Sequence, residues 1–149
     1  MATEIEHKHL VTSDEYKAMA IERHCIRQGY LSRVPARTVR VRIIDNHAVI
    51  TIKGSNSGAE RAEFEYPIPL ADARQLMALC EPPVIEKTRH IVMHEGNQWE
   101  IDEFGGALQG LVLAELEIPS VDFQYSLPPF VGEDVTSNPR YYNSQLGLK

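Results

Sequence analysis

A chain of 149 residues, 43% hydrophobic and 24% charged, has the make-up of an ordinary globular protein with enough mass for one buried core. Its 21 acidic against 15 basic side chains give a net charge of −6, which excludes a duplex nucleic-acid binder working by bulk attraction. No apolar run nears the roughly 18 residues that span a bilayer, and the polar opening MATEIEHKHL is not a secretory leader.

Cys25 and Cys80 fit no metal or redox spacing, and no repeat or linker divides the chain. The expectation is a single domain over residues 1–149, cytoplasmic, without nucleic-acid or membrane partners and with a homodimer left open.

The first element, EIEHKHLV, alternates Glu4, Glu6 and Lys8 with Ile5, His7 and His9. Side chains alternate across a strand, so three ionised groups share one face. TSDEYKAMAIE reads as a short helix, with Thr12 and Glu15 at capping-box spacing. HCIRQGYLS and RTVRVRIID follow as strands; in the latter Arg40 and Arg42 oppose Val39, Val41 and Ile43. Asp45-Asn46 is a turn signal before AVITIKG, where Lys53 and Thr51 oppose Ile50 and Ile52. In AERAEFEYPI, Arg61, Glu63 and Glu65 oppose Phe64 and Tyr66. LADARQLMALC is an amphipathic helix. The last three strands pair Lys87 with Arg89, Glu100 with Asp102 (opposite Trp99 and Ile101), and Glu115 with Glu117. Beyond Pro128 the tail is partly helical, with NPRYYNSQLG its most structured piece.

Seven of eight strands thus put ionised groups on one face and mostly apolar groups on the other. An open antiparallel sheet with a solvated face explains any one strand equally well. Two features of the set favour closure: the same-face pairs are nearly all ionisable, and their signs are segregated by strand. Eight strands close into a barrel without edges. The expected fold is therefore α+β, mostly β: an eight-stranded antiparallel closed tunnel with a charged lumen and helices packed outside.

Clustered carboxylates without Cys or His suit hard divalent cations, Mg²⁺ or Mn²⁺, and Arg and Lys suit phosphate oxygens. Lys8, Arg40, Arg42, Lys53, Lys87 and Arg89 outnumber what one phosphate needs, so a polyphosphate fits better.

Glu4-Ile5-Glu6-His7-Lys8 matches an ExExK signature, and IRQGYL, TVRVR, ITIKG, EFEYPI, VIEKTR, WEID, AELE and NPRYYN follow in order. On these segments the chain resembles the CYTH superfamily, the triphosphate tunnel metalloenzymes. The resemblance implies an eight-stranded tunnel that binds a triphosphate with a divalent metal, in a short form most like bacterial members acting on inorganic triphosphate. It makes Glu4, Glu6, Glu115, Glu117 and Asp102 the metal-holding acids. Lys8, Arg40, Arg42, Lys53, Lys87 and Arg89 become the substrate-binding cations, and Lys8, Glu63 and Glu65 the catalytic, water-positioning groups. Glu100 is a further lumen acid. His7 and His9 depart from the family, whose members often carry Arg and Phe there; both fall on the outer face, where packing near His9 is expected to be looser.

Several alternatives stay open from sequence. His7 and His9 form at most two ligands of a zinc site. Lys53-Gly54-Ser55 resembles the end of a phosphate-binding loop, but the earlier glycine is missing and a strand-ending turn is the better reading. Tyr30 and the Tyr141-Tyr142 pair line the lumen or pack the core with equal weight. Trp99, Phe64 and Tyr66 fall on the outward face, which leaves no aromatic pair to sandwich a base. Besides an inorganic triphosphatase, the readings are a nucleoside or thiamine triphosphatase, a class IV-type adenylate cyclase, and a non-catalytic polyphosphate or nucleotide binder.

Overall fold

The computed structural model describes residues 3–55 and 59–146. Eight antiparallel strands form a ring: β1 (Thr3–Val11), β2 (Glu22–Ser32), β3 (Thr38–Ile44), β4 (His47–Lys53), β5 (Glu60–Ile68), β6 (Glu81–His94), β7 (Asn97–Phe104) and β8 (Val112–Glu117). Their order is β5-β4-β3-β2-β6-β7-β8-β1, and the ring closes where Thr3, Glu4 and Ile5 pair with Ala62, Arg61 and Glu60. A four-residue strand, β9 (Val131–Asp134), takes the edge of β1 that β5 leaves free. Tight turns set the register: Asp45, at φ 52°, joins β3 to β4, and Glu95-Gly96, at φ 50° and 79°, joins β6 to β7.

The outer face carries two apolar layers, as the alternation requires. Helix α2 (Leu70–Leu79) covers Val41 and Ala48 with Ala73 and Met77. It sits close to β2 at Gly29, where a Cβ would lie 2.8 Å from that of Cys80. On the other side, Trp99, Ile101, Ala114 and Leu116 pack under Tyr16 of helix α1 (Tyr16–Met19) and under Phe130. Thr12 does not cap α1: its hydroxyl donates to the Phe130 carbonyl at 3.1 Å, so the helix shrinks to one turn and serves to place Tyr16. Among the described residues no helix is long and apolar enough to cross a membrane.

A third apolar cluster lies inside the ring, which the alternation alone did not suggest. Ile85, Phe104 and Leu113 continue the inward rows of Lys87, Asp102 and Glu115, and Leu146 of the tail packs among them with Leu10. The lumen is therefore charged at one end and apolar at the other.

Candidate active site

Inward rows of seven strands converge on a cavity of about 280 Å³. Glu4 and Glu6 (β1), Glu63 and Glu65 (β5), Glu100 (β7), and Glu115 and Glu117 (β8) contribute carboxylates. Arg40 and Arg42 (β3), Lys53 (β4) and Arg89 (β6) contribute cations. A second, smaller chamber shares Glu6, Arg40 and Lys53 and adds Lys8 and Arg61. The rest of its wall is hydroxyl-bearing: Tyr30, Thr38, and from the tail Thr136, Tyr142 and Ser144.

The carboxylates crowd each other. Glu6 stands opposite Glu117 and Glu100 opposite Glu115 in the β-ladder, where like charges repel. Burial, then Glu115 and Glu4, push the Glu6 carboxyl up to about 7. Burial likewise raises Glu4, Glu100 and Glu117 above the ordinary carboxylate range. Glu115 goes the other way. Burial pushes it up, but Lys8 at 3.6 Å, with Lys87 and Arg89, outweighs that and brings it down to about 2. A cup whose carboxylates outnumber the cations on its walls, and whose donors are all oxygen, fits a hard divalent cation. Among the described residues no three acidic, His or Cys side chains already converge on one point, so phosphate oxygens and water would complete the coordination.

The cations are held in place. Lys53 Nζ lies 2.9 Å from Glu4 and 3.3 Å from Glu63. Arg40 Nη2 donates to Thr51 (3.2 Å), whose hydroxyl donates in turn to Glu65 (3.1 Å). Arg42 Nε donates to the fully buried Gln28 (2.8 Å); burial, with Arg40 and Arg89 nearby, brings its guanidinium down to about 9. Lys8 Nζ donates to the Tyr141 carbonyl at 2.9 Å.

Lys87 and Asp102 face inward as expected but stand behind the cavity. Both side chains are 0% exposed, 2.6 Å apart, with the Lys87 ammonium 5.3 Å from the Phe104 ring centre. Asp102 also receives Arg89 Nε (2.8 Å) and Nη2 (2.9 Å), so both carboxylate oxygens are engaged. Burial pushes Asp102 up, but Arg89 and Lys87 hold it far below the usual range; burial brings Lys87 down to about 7.

Sequence reasoning gave no role to Gln28, Thr51 and Arg61, nor to Thr136 and Ser144 of the tail. Gln28 and Tyr30 share the inward row of β2, the one strand to which the charge alternation assigned no lumen group, so a search by charge passed it over. Tyr30 and Tyr142 do line the smaller chamber, whereas Trp99 is buried in the outer core and Phe64 and Tyr66 are exposed outside. His9 is not loosely packed: its ring nitrogens lie 2.9 Å from the Gly132 carbonyl and 3.0 Å from the Tyr125 hydroxyl, edge-on to Trp99. His7 Nδ1 lies 2.8 Å from Asp134, fastening β9 to β1. Gly54 donates to the Ala62 carbonyl at 3.0 Å as part of the β4–β5 turn.

A family model described as the CYTH domain matches residues 2–145. Two proteins named inorganic triphosphatase are similar to the chain. One, from Acetivibrio thermocellus, is 43% identical over 98% of this chain and 94% of its own length. The other, from Nitrosomonas europaea, is 35% identical over 98% and 97%. The crystal structure of an inorganic triphosphatase superposes with a TM-score of 0.70 at 33% identity, covering all of this chain and 97% of the other. A Pyrococcus horikoshii protein, at 19% identity and TM-score 0.61 over 80% of each chain, shares the fold.

Proposed function

The chain belongs to the CYTH domain family, and we propose that its tunnel hydrolyses inorganic triphosphate to pyrophosphate and phosphate. One observation carries the reading: a carboxylate cup with acid in excess lies directly against a chamber with cations in excess. A triphosphate with a divalent cation satisfies both walls at once; neither a metal nor a phosphate alone does.

Triphosphatases of this family depend on a divalent metal, and the all-oxygen donor set of this chain favours Mg²⁺ or Mn²⁺. Glu4, Glu6, Glu115 and Glu117 would hold it, Glu115 being ionised well below neutral pH and Glu6 giving up its proton near pH 7. When bound, such a cation would neutralise charge on the phosphate chain and acidify water. Arg40, Arg42, Lys53 and Arg89 bind the phosphate chain and stabilise charge that grows on it as the P–O–P bond breaks. Lys8 and the carboxylates of Glu63 and Glu65 position the attacking water, and one of the carboxylates takes its proton. Glu65 suits this: Thr51 orients it, and its side chain remains 46% exposed toward incoming solvent. Asp102 and Lys87 act from behind as the support that aims Arg89.

The reading over ATP, thiamine triphosphate or cyclisation rests on the walls. The larger cavity is lined almost wholly by ionised groups, with no aromatic side chain among the described residues to hold a base. Phosphate release from triphosphate, ATP and thiamine triphosphate, each with Mg²⁺ and Mn²⁺, tests it. The expected preference for triphosphate over ATP is at least about ten-fold in kcat/KM, the worth of one good ionic contact. Equal turnover of ATP, or cyclic AMP as main product, overturns the reading.

A further inference from the structure

Strand β2 runs between the two basic strands of the ring, β3 with Arg40 and Arg42 and β6 with Lys87 and Arg89. Beside Arg42 it places a neutral side chain. Gln28, 0% exposed, stands opposite Arg42 in the β-ladder, and its Oε1 accepts from Arg42 Nε at 2.8 Å. The opposite amide orientation would set a donor against the guanidinium. With the oxygen committed to Arg42, the Gln28 amide nitrogen is buried and has no hydrogen-bond partner among the described residues. A glutamine kept for the fold alone would use both ends of its amide. This one gives up a donor to hold a neutral acceptor at one arginine.

Arg42 differs from the other cations assigned to the substrate. Lys8, Arg40 and Lys53 each have a carboxylate within 3.9 Å, at Glu115, Glu65 and Glu4, and Lys87 and Arg89 share Asp102. Among the described residues Arg42 has none within that reach, and its two terminal nitrogens make no hydrogen bond on the wall of the larger cavity. Burial, then Arg40 and Arg89, bring the Arg42 guanidinium down to about 9. Burial pulls on Arg89 as well, yet Asp102 outweighs it and holds Arg89 well above its ordinary value. Arg42 is thus a buried cation whose charge the wall around it leaves unbalanced.

We propose that Gln28 is a positioning residue for the reaction: its neutral oxygen aims Arg42 by Nε and leaves the guanidinium's charge and both terminal nitrogens for the phosphate chain. A carboxylate at this position would hold the same nitrogen more firmly and cancel the charge. An apolar side chain of similar length would leave the charge and lose the aim. The inference rests on the triphosphatase reading and adds to it the group that keeps one of its cations unneutralised.

Steady-state hydrolysis of triphosphate and thermal denaturation of the full chain, both with Mg²⁺, test this. Gln28→Glu keeps the shape and still accepts from Arg42 Nε, so a role limited to holding the arginine would survive it. It should melt within about 2 °C of wild type or higher, because it supplies the missing counter-charge. Its kcat/KM should nevertheless fall at least about ten-fold, mostly through KM, since the cancelled charge attracts the chain before the P–O–P bond breaks. Gln28→Met keeps the bulk and removes the acceptor. It should lower kcat/KM about five-fold or more by itself, and by no more than about two-fold on top of Arg42→Gln. Wild-type kinetics in Gln28→Glu, a loss confined to kcat, a melting point well below wild type, or a Gln28→Met loss undiminished on top of Arg42→Gln overturns the proposal. If the wild type hydrolyses triphosphate, any of these removes the role of Gln28 alone; if it hydrolyses none with either Mg²⁺ or Mn²⁺, the triphosphatase reading and the proposal fall together.

Discussion

Replacing Asp102 by Asn keeps the side chain's volume and removes its charge, so no cavity complicates the result. Asp102 is 0% exposed and is the shared counter-charge of Arg89, at 2.8 and 2.9 Å, and of Lys87, at 2.6 Å. Removing one member of a buried ion group leaves the others uncompensated, at a cost of about 3–5 kcal/mol. For a chain of this length each kcal/mol moves Tm by about 2–4 °C, so D102N should melt roughly 6–20 °C lower. The loss should appear in EDTA and persist with Mg²⁺, because the partners are protein cations. kcat/KM for triphosphate should fall as well, since Arg89 loses the fork that aims it into the cavity. Were Asp102 instead a metal ligand, the destabilisation would appear only with metal present. Thermal denaturation followed by circular dichroism, with and without metal, separates the two. A metal-free melting point within about 2 °C of wild type would refute the supporting role.

Three other outcomes follow from the site. Glu6→Gln and Glu117→Gln keep the shape of the cup and weaken its charge; the divalent-cation concentration for half-maximal activity should rise about ten-fold or more, and an unchanged metal titration in both would move the metal elsewhere. Arg40→Ala should lower kcat/KM for triphosphate about ten- to a hundred-fold, the worth of a charge-assisted contact; unchanged steady-state kinetics would remove Arg40 from the substrate's path. For the metal-free protein the pH dependence of stability has two limbs. Glu115, lowered from 4.5 to about 2, contributes stability that is present above pH 4.5 and lost as pH falls toward 2. Glu6, raised from 4.5 to about 7, contributes stability that is present below pH 4.5 and lost as pH rises through 7. Tm in EDTA should therefore climb from pH 2 to 4.5 and decline between about 5 and 8, and Mg²⁺ should flatten the decline; a Tm that rises through neutrality in EDTA contradicts the crowded-acid cup.

The strand period of two was enough to sort Glu4, Arg40, Lys53, Glu65, Arg89 and Glu117 to one side and Val41, Trp99, Ile101 and Leu116 to the other. That assignment needs no knowledge of neighbours: in a strand, parity alone decides which face a side chain takes. The ExExK opening and the ordered segments after it pointed to the family for the same reason, because each is local. Parity cannot say how far along the tunnel a residue lies or which strand stands beside it. Lys87 and Asp102 face inward like Arg89, yet the ladder sets Lys87 opposite Phe104 and Asp102 opposite Arg89, and the two stand behind the cavity rather than on its wall. Leu10, Ile85 and Leu113 face inward too, and they make the far end of the lumen apolar. Thr12 had the spacing of a helix cap and became a fastening to Phe130, because a tertiary carbonyl lay nearer than a helix turn. The tail shows no period at all: its residues reach the site through particular contacts, Thr136 at the Lys8 amide, Tyr141 at the Lys8 ammonium and Ser144 at Arg33. Such contacts join positions more than a hundred residues apart in sequence, and only the closed ring brings them within hydrogen-bonding distance.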